Sequence, residues 1–293
     1  MSMKKNHTLL ILGGDFRQLE VIRLLAPKLQ RIYLVGFENA TIESENTIKI
    51  AMEDVPLSII DSILLPIPGI QEDGVVESNF TEKEVILTKE VMKQTREDCT
   101  LYSGIITPFL HDLSKRTNRK IVALFARNDV AILNSIPTAE GVLMLAIQHT
   151  DITVHQSQVT VLGFGRVGKT VARLFSAVGA NVSVFARKAE DIARIIEMGL
   201  MPISHSDFEK TINNQDIIIN TVPSLIITSS LIREMSSHAL IIDLASKPGG
   251  TDFDSAKRNH IQTIWALGLP AKVAPKTSGS IIATTLLDYL ITK

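Results

Sequence analysis

The stretch Val159-Thr-Val-Leu-Gly163-Phe-Gly165-Arg-Val-Gly168 decides how this chain is read. A mostly apolar run, Val159–Leu162, ends in G-x-G-x-x-G, and the residues that follow put Val167, Val171, Leu174, Phe175 and Val178 on one helical face. A strand, a glycine turn and an amphipathic helix in that order form a backbone cradle for a pyrophosphate. Gly163 is expected to make the tight turn, Gly165 to let the backbone approach the phosphates, and Gly168 to let the helix pack closely on the strand. The helix N-terminus holds an anion through its free N–H groups and its dipole. Gly163, Phe164, Gly165, Arg166, Val167 and Gly168 are therefore the candidate phosphate-binding residues. The competing reading is an ordinary strand–helix turn, because glycines also cluster in turns by chance.

Further along, the strand expected over Asn181–Ala186 should end at the residue that meets an adenine ribose. A carboxylate there suits NAD. This chain has Arg187 and Lys188 instead, with no acid until Glu190 and Asp191. Two cations suit a 2′-phosphate, which favours NADP(H); incidental charge at a solvated helix start is the alternative. Asn220-Thr221-Val222-Pro223 falls where a loop passes beside the nicotinamide ribose, so Thr221, Val222 and Pro223 join the cofactor candidates. Pro223 is equally readable as a strand stop.

Outward from this motif, apolar residues come in short bursts. Leu9–Leu12, Ile32–Val35, Ile63–Ile67, Leu101–Ile106 and Ile121–Phe125 precede the motif, and Val182–Phe185, Ile217–Asn220, Leu240–Leu244 and Thr263–Leu267 follow it. Runs of this length read as strands buried on both faces of a parallel sheet, with helices between them. The expected fold is α/β, with two doubly wound parallel-sheet, Rossmann-like domains. Pro137 and Glu140 have helix-start chemistry, and Ala139, Leu143, Ala146, Ile147 and Thr150 keep helical spacing. A connecting helix is placed at about 137–150. The chain closes on a second helical pattern, Ile281, Ile282, Leu286, Tyr289 and Leu290. The expected division is residues 1–136 as an N-terminal α/β substrate domain, 137–275 as the nucleotide domain, and 276–293 as a helix returning to the first domain.

Composition limits the class. The 293 residues fit about two domains of roughly 150. Net charge is −1 and the isoelectric point about 6.7, which argues against a nucleic-acid partner needing a basic surface. Mean hydropathy is +0.21, yet no apolar run approaches the ~18 residues of a membrane span. Lys4 and Lys5 precede Leu9–Leu12, which is too short for a signal peptide. The single cysteine, Cys99, excludes an internal disulfide and a multi-cysteine zinc site, and fits a reducing compartment. A cytoplasmic location and no membrane partner are expected.

Several segments together resemble the dipicolinate synthase A-subunit family of spore-forming bacteria. They are Leu12-Gly-Gly-Asp15-Phe-Arg17-Gln18, Ile136-Pro-Thr-Ala-Glu140-Gly141, the Gly163–Gly168 turn, Asn220-Thr-Val-Pro223, Ile242-Asp243-Leu-Ala-Ser-Lys247-Pro-Gly-Gly250 and Leu267-Gly-Leu-Pro-Ala-Lys272-Val-Ala-Pro275-Lys276-Thr277-Ser278-Gly279. The resemblance covers essentially the whole chain. It implies oxidation of a dihydrodipicolinate-type product of the lysine pathway to dipicolinate with NADP as hydride acceptor. It also implies a separate B subunit and expression in the mother cell during sporulation. A dicarboxylate needs cationic or N–H-rich partners at both ends. Asp15, Arg17, Lys247, Lys276, Thr277 and Ser278 are the candidate substrate contacts, with Asp15 equally readable as a helix N-cap. Arg17, Lys247 and Lys276 have blander alternatives as a surface helix residue, a loop charge and a helix-entry charge.

The two-domain layout also resembles the D-2-hydroxy acid dehydrogenases, whose Pro-His-x-x-Gly segment carries a catalytic histidine. Here Pro275-Lys276-Thr277-Ser278-Gly279 has lysine at that position, so the acid/base for a carbinol proton is missing. A hydroxy- or oxo-acid reductase and a non-catalytic nucleotide-binding subunit stay open as alternatives, as does a homo-oligomer. No histidine pair, including His149 and His155, has metal-ligand spacing, so no metal is expected. Glu140 reads as a first-turn carboxylate, Trp265 as a core residue, and Cys99 as a small buried hydrophobe. The general base is not readable.

Overall fold

In a computed structural model, which describes residues 5–291, the apolar bursts become strands of two separate parallel sheets. The first half runs β1 (Lys5–Leu12), α1 (Phe16–Leu25), β2 (Leu29–Val35), β3 (Thr47–Lys49), β4 (Ser62–Leu64), α2 (Lys89–Gln94), β5 (Thr100–Ser103), α3 (Pro108–Thr117), β6 (Lys120–Ala123) and α4 (Asn128–His149). The second half runs β7 (Gln158–Leu162), α5 (Arg166–Ala177), β8 (Asn181–Phe185), α6 (Ala189–Glu197), β9 (Met201–Ile203), α7 (Phe208–Ile212), β10 (Ile217–Asn220), α8 (Ser229–Glu234), β11 (Leu240–Asp243), α9 (Phe253–Arg258), β12 (Gln262–Trp265), α10 (Leu269–Val273) and α11 (Pro275–Ile291). Lys4 lies outside the described residues, as do Thr292 and Lys293.

Both sheets have six strands, in the orders β3-β2-β1-β4-β5-β6 and β12-β11-β10-β7-β8-β9. Each is a doubly wound sheet whose strand order reverses at its first strand. Strand alternation divides the apolar residues between two faces. In β1, Leu9 and Ile11 pack with α1 and α11, while Leu10 and Leu12 enter the cluster that includes Leu110 and Leu113 of α3. In the second sheet, Val159 and Val161, Ile217 and Ile219, and Leu240 and Ile242 meet α4 and α5, while Leu162, Ile218 and Ile241 enter the other cluster. The chain forms two compact units. One runs to Leu133 and resumes at Ala274, and the other is Asn134–Val273. Within the first unit α11 lies on α1 through Ile282, Ala283, Leu286 and Leu290.

Four readings need correction. β3 and β9 are additional three-residue strands at sheet edges; β3 is partly exposed throughout, and in β9, a Met-Pro-Ile stretch broken by proline, only Ile203 is buried. The connecting helix begins at Asn128, so Pro137 lies inside it and Glu140 is exposed in its interior rather than in the first turn. Without an N–H, Pro137 cannot bond the carbonyl four residues back, that of Leu133, the last residue of the first unit's opening segment. Joining two apolar stretches also makes α4 long and apolar enough, by length and composition, to cross a membrane (22 residues, hydropathy 1.7). Its Ala139, Val142 and Ala146 sit in the second unit's core. Lastly, Trp265 is not a core residue: it is 37% exposed, stacked on Phe253 at 5.2 Å, and its Nε1 donates to Ala245 O at 2.9 Å.

Candidate dinucleotide site and the first-unit helix turn

The glycines of the turn after β7 have three different physical reasons to be glycine. Gly163 has φ +94°, a conformation that L side chains rarely adopt, and a Cβ there would lie 2.5 Å from Thr221 Oγ1. A Cβ on Gly168 would lie 2.1 Å from Gly163 O, so no side chain fits between helix and strand. Gly165 has an ordinary φ of −78°, and a Cβ there would meet nothing within 4 Å. Neither conformation nor packing inside the protein asks for glycine at Gly165, and the open space beside it leaves room for a ligand. Gly165 is also the N-cap of α5, and no side chain caps it. The residues thus fit the pyrophosphate of a dinucleotide.

Neighbouring residues complete the surface. Phe164 is buried, with Lys169 Nζ 4.9 Å above its ring, so it offers a ligand only its backbone. Arg166 is exposed and Val167 half-buried. Thr221 N and Oγ1 both donate to Leu162 O, at 2.9 and 2.8 Å, docking Thr221–Val222 onto the glycine turn; Pro223 is exposed. Beyond β8, Arg187 is exposed with no partner among the described residues, and Lys188 Nζ lies 3.9 Å from Glu190 Oε1. Lys247 is exposed on the Ser246–Gly249 turn beyond β11. Beneath that turn, Asp243 and Asn220 are fully buried and bonded to each other at 2.9 Å. Sequence reasoning singled out neither as a site residue: a polar residue closing an apolar strand looks like the end of a strand.

The first unit has its own glycine turn, Gly13-Gly14, with φ +50° and +112°. Asp15 caps α1: its Oδ1 accepts from Arg17 N at 3.0 Å, and Gln18 Oε1 accepts from Asp15 N at 3.0 Å, a reciprocal capping box. The same carboxylate takes Arg17 Nε at 2.9 and 3.1 Å and Nη2 at 2.6 Å. Arg17 is 4% exposed, so it is no surface residue; its Nη1 makes no bond among the described residues. At the start of α11, Lys276 and Thr277 are exposed. Ser278 is fully buried. Gly279 is pressed on α1, where a Cβ would lie 2.4 Å from Arg17 O. Lys276 lines a groove of about 770 Å³ with Phe16, Leu19, Glu20 and Arg23. Hydrogen bonding to Arg23 holds the Glu20 carboxyl below the usual carboxylate range against the opposing effect of burial, and the charges of Arg23 and Lys276 add to it. Among the described residues no group of His, Cys, Asp and Glu could hold a metal ion.

Known proteins match both halves. The family profile of the N-terminal domain of the dipicolinate synthase A-subunit matches residues 8–125. That of the D-isomer specific 2-hydroxyacid dehydrogenase NAD binding domain matches 140–246. The dipicolinate synthase A-subunit of Bacillus subtilis is 46% identical over 280 residues, covering 96% of this chain and 94% of that protein. The chain belongs to the dipicolinate synthase A-subunit family. A crystal structure of the family from Bacillus halodurans, 46% identical, superposes with a TM-score of 0.95 over 98% of this chain and 99% of that one. The crystal structure of the Bacillus subtilis A-subunit, 45% identical, gives 0.92 over 99% and 98%. Within this family the second unit is the dehydrogenase-type domain, so the chain is an oxidoreductase that uses a nicotinamide cofactor.

Proposed function

We propose that the chain oxidises a dihydrodipicolinate-type intermediate of the lysine pathway to dipicolinate with NADP as acceptor, together with a B subunit, in the mother-cell cytoplasm during sporulation. The observation that carries this reading is the open space at Gly165 in a chain related over its whole length to the dipicolinate synthase A-subunit. When bound, the nicotinamide supplies the hydride-accepting carbon. The Gly163–Gly168 turn and the start of α5 hold the pyrophosphate with backbone N–H groups. Arg187, exposed and with no partner among the described residues, would fork onto a 2′-phosphate, and Lys188 would add charge. Thr221, Val222 and Pro223 line the nicotinamide ribose.

Turning a dihydropyridine into a pyridine removes a hydride and a proton, and aromatisation favours it, so the chain's task is orientation and charge neutralisation. Lys247 in the second unit, and Lys276, Thr277 and the remaining Nη1 donor of Arg17 in the first, are each candidates for a substrate carboxylate. Asp15 serves indirectly, by fixing the guanidinium of Arg17. A lysine at 276, where the hydroxy acid dehydrogenases carry histidine, supports carboxylate binding over carbinol chemistry. The test mixes the purified chain with NADP+ and an enzymatic source of dihydrodipicolinate, with and without the B subunit, and follows reduced cofactor and dipicolinate. Dipicolinate formed faster with the partner than without it is expected. No product in either case, or equal rates in both, overturns the proposal.

A further inference from the structure

We infer that Asp243 is a positioning residue, which sets the nicotinamide end of the dinucleotide site and the turn that carries Lys247. The inference rests on the dinucleotide reading above. Asp243 is the last residue of β11 and fully buried. Its Oδ1 accepts from Asn220 Nδ2 and from Ala245 N, each at 2.9 Å. Its Oδ2 accepts from Gly250 N at 2.9 Å and from Thr251 Oγ1 at 2.7 Å. Three of the four partners are N–H groups, which can only donate, so the two oxygens act as acceptors throughout.

What the carboxylate joins gives it a role beyond the core. Ala245 and Gly250 flank the turn that holds Lys247, and Gly249 N closes that turn on Ser246 O at 2.8 Å. One carboxylate therefore staples both stems. Through Asn220 it also reaches the neighbouring loop: Asn220 Oδ1 accepts from Val222 N at 2.9 Å, and Nδ2 donates to Val222 O at 3.1 Å. Thr221 in turn rests on Gly163. The glycine turn, Thr221–Val222 and the Lys247 turn are thus one bonded assembly with Asp243 at its centre. Gly250 shows how tightly it is closed, since a Cβ there would lie 2.3 Å from Asn220 Nδ2 and 2.5 Å from Val222 O.

All of these groups lie at or beyond the C-terminal ends of β10 and β11, where open α/β sheets bind ligands. A dinucleotide crosses the point at which strand order reverses, between β7 and β10. With an adenosine end toward Arg187 beyond β8, a nicotinamide end would fall to the loops beyond β10 and β11, which Asp243 holds. Burying a carboxylate is costly unless every acceptor is met. A strand end with a purely structural duty is met more cheaply by an apolar residue.

Asp243→Asn keeps the volume but turns one oxygen into an NH2 that faces either Asn220 Nδ2 and Ala245 N, or Gly250 N and the Thr251 hydroxyl, so at least one N–H donor loses its acceptor. The test titrates parent and variant with NADP+ and NAD+, and with ADP-ribose and its 2′-phosphate, which lack the nicotinamide end. The variant is expected to bind the full dinucleotide at least about tenfold more weakly and the adenosine-end probe as the parent does. Equal weakening of both probes makes Asp243 a fold residue and overturns the inference, as does no weakening of either. If the Asn variant does not fold, Thr251→Val removes a single donor at nearly constant volume and is expected to give the same split, about three- to tenfold. A parent that binds neither probe overturns the dinucleotide reading itself, a result distinct from the others.

Discussion

Two alanine substitutions in one turn separate what the cofactor requires from what the fold requires. At Gly165 the φ of −78° admits alanine, and the added Cβ meets nothing within 4 Å. Lower entropy of the unfolded chain favours Gly165→Ala by about 0.4–1 kcal/mol, and the poorer N-cap offsets this by a similar few tenths to ~1 kcal/mol. The ligand-free variant should therefore melt within a few degrees of the parent. Its methyl group occupies the space a pyrophosphate needs, and the loss of one charge-assisted N–H bond, about 1.5–3 kcal/mol, weakens the dinucleotide roughly 10- to 150-fold. Gly168→Ala acts the other way. Its Cβ would lie 2.1 Å from Gly163 O, so α5 must lift from the strand. Overpacking of this kind costs about 1–3 kcal/mol, and at about 2–4 °C per kcal/mol the melting point falls by several degrees. Thermal melts without ligand measure the first quantity. Titration with reduced cofactor measures the second, read by energy transfer from Trp265, the single tryptophan, whose Nε1 bonds Ala245 beside the site. If Gly165→Ala binds the dinucleotide as tightly as the parent, no pyrophosphate rests on that residue and the site has been misread.

Two further outcomes follow from single side chains. Arg187→Asp should weaken NADP(H) at least about tenfold and NAD(H) far less; an unchanged ratio of the two affinities in paired titrations would remove Arg187 from the site. Burial pushes the Cys99 thiol up to about 11, so at about pH 8 it is protonated and covered; a colorimetric thiol reagent should find no reactive thiol in the native protein and one after denaturant, and prompt labelling of the native protein would refute this.

Much of the fold was legible because burial on both sheet faces leaves its mark on each central strand. Leu9–Leu12 is apolar without alternation and Val159–Leu162 is so but for the buried Thr160, and both became central strands. The edge strands β3 and β9 left a weaker mark, since Thr47–Lys49 is partly exposed and in Met201–Ile203 only Ile203 is buried. Pro137 misled because proline suits a helix start as well as a tolerated break, and only the packing of Ala139, Val142 and Ala146 around it shows which applies. In the candidate site, the glycine pattern and the Arg187–Lys188 pair stood out in the sequence. Asp243 did not, because its significance lies in Asn220, Ala245, Gly250 and Thr251, which reach it only when β10 and β11 lie side by side.

The sequence by itself determined two doubly wound sheets and a phosphate-binding turn, because strand burial and glycine spacing are local properties of the chain. It reads that turn as a dinucleotide cradle, although the same residues carry a second spacing. Gly163, Gly168, Lys169 and Thr170 also satisfy the G-x-x-x-x-G-K-[ST] spacing of nucleoside-triphosphate loops. Only the tertiary structure decided against that reading. Helix α5 already begins at Arg166, ahead of Gly168, so there is no extended loop of N–H groups to wrap a triphosphate. Lys169 is drawn to the Phe164 ring and to Asp191, 3.6 Å away, while Thr170 Oγ1 bonds Ser135 Oγ at 2.6 Å. The physical reason is the contact of Gly168 with Gly163 O: it locks helix against strand, a long-range fit that residue spacing alone does not encode.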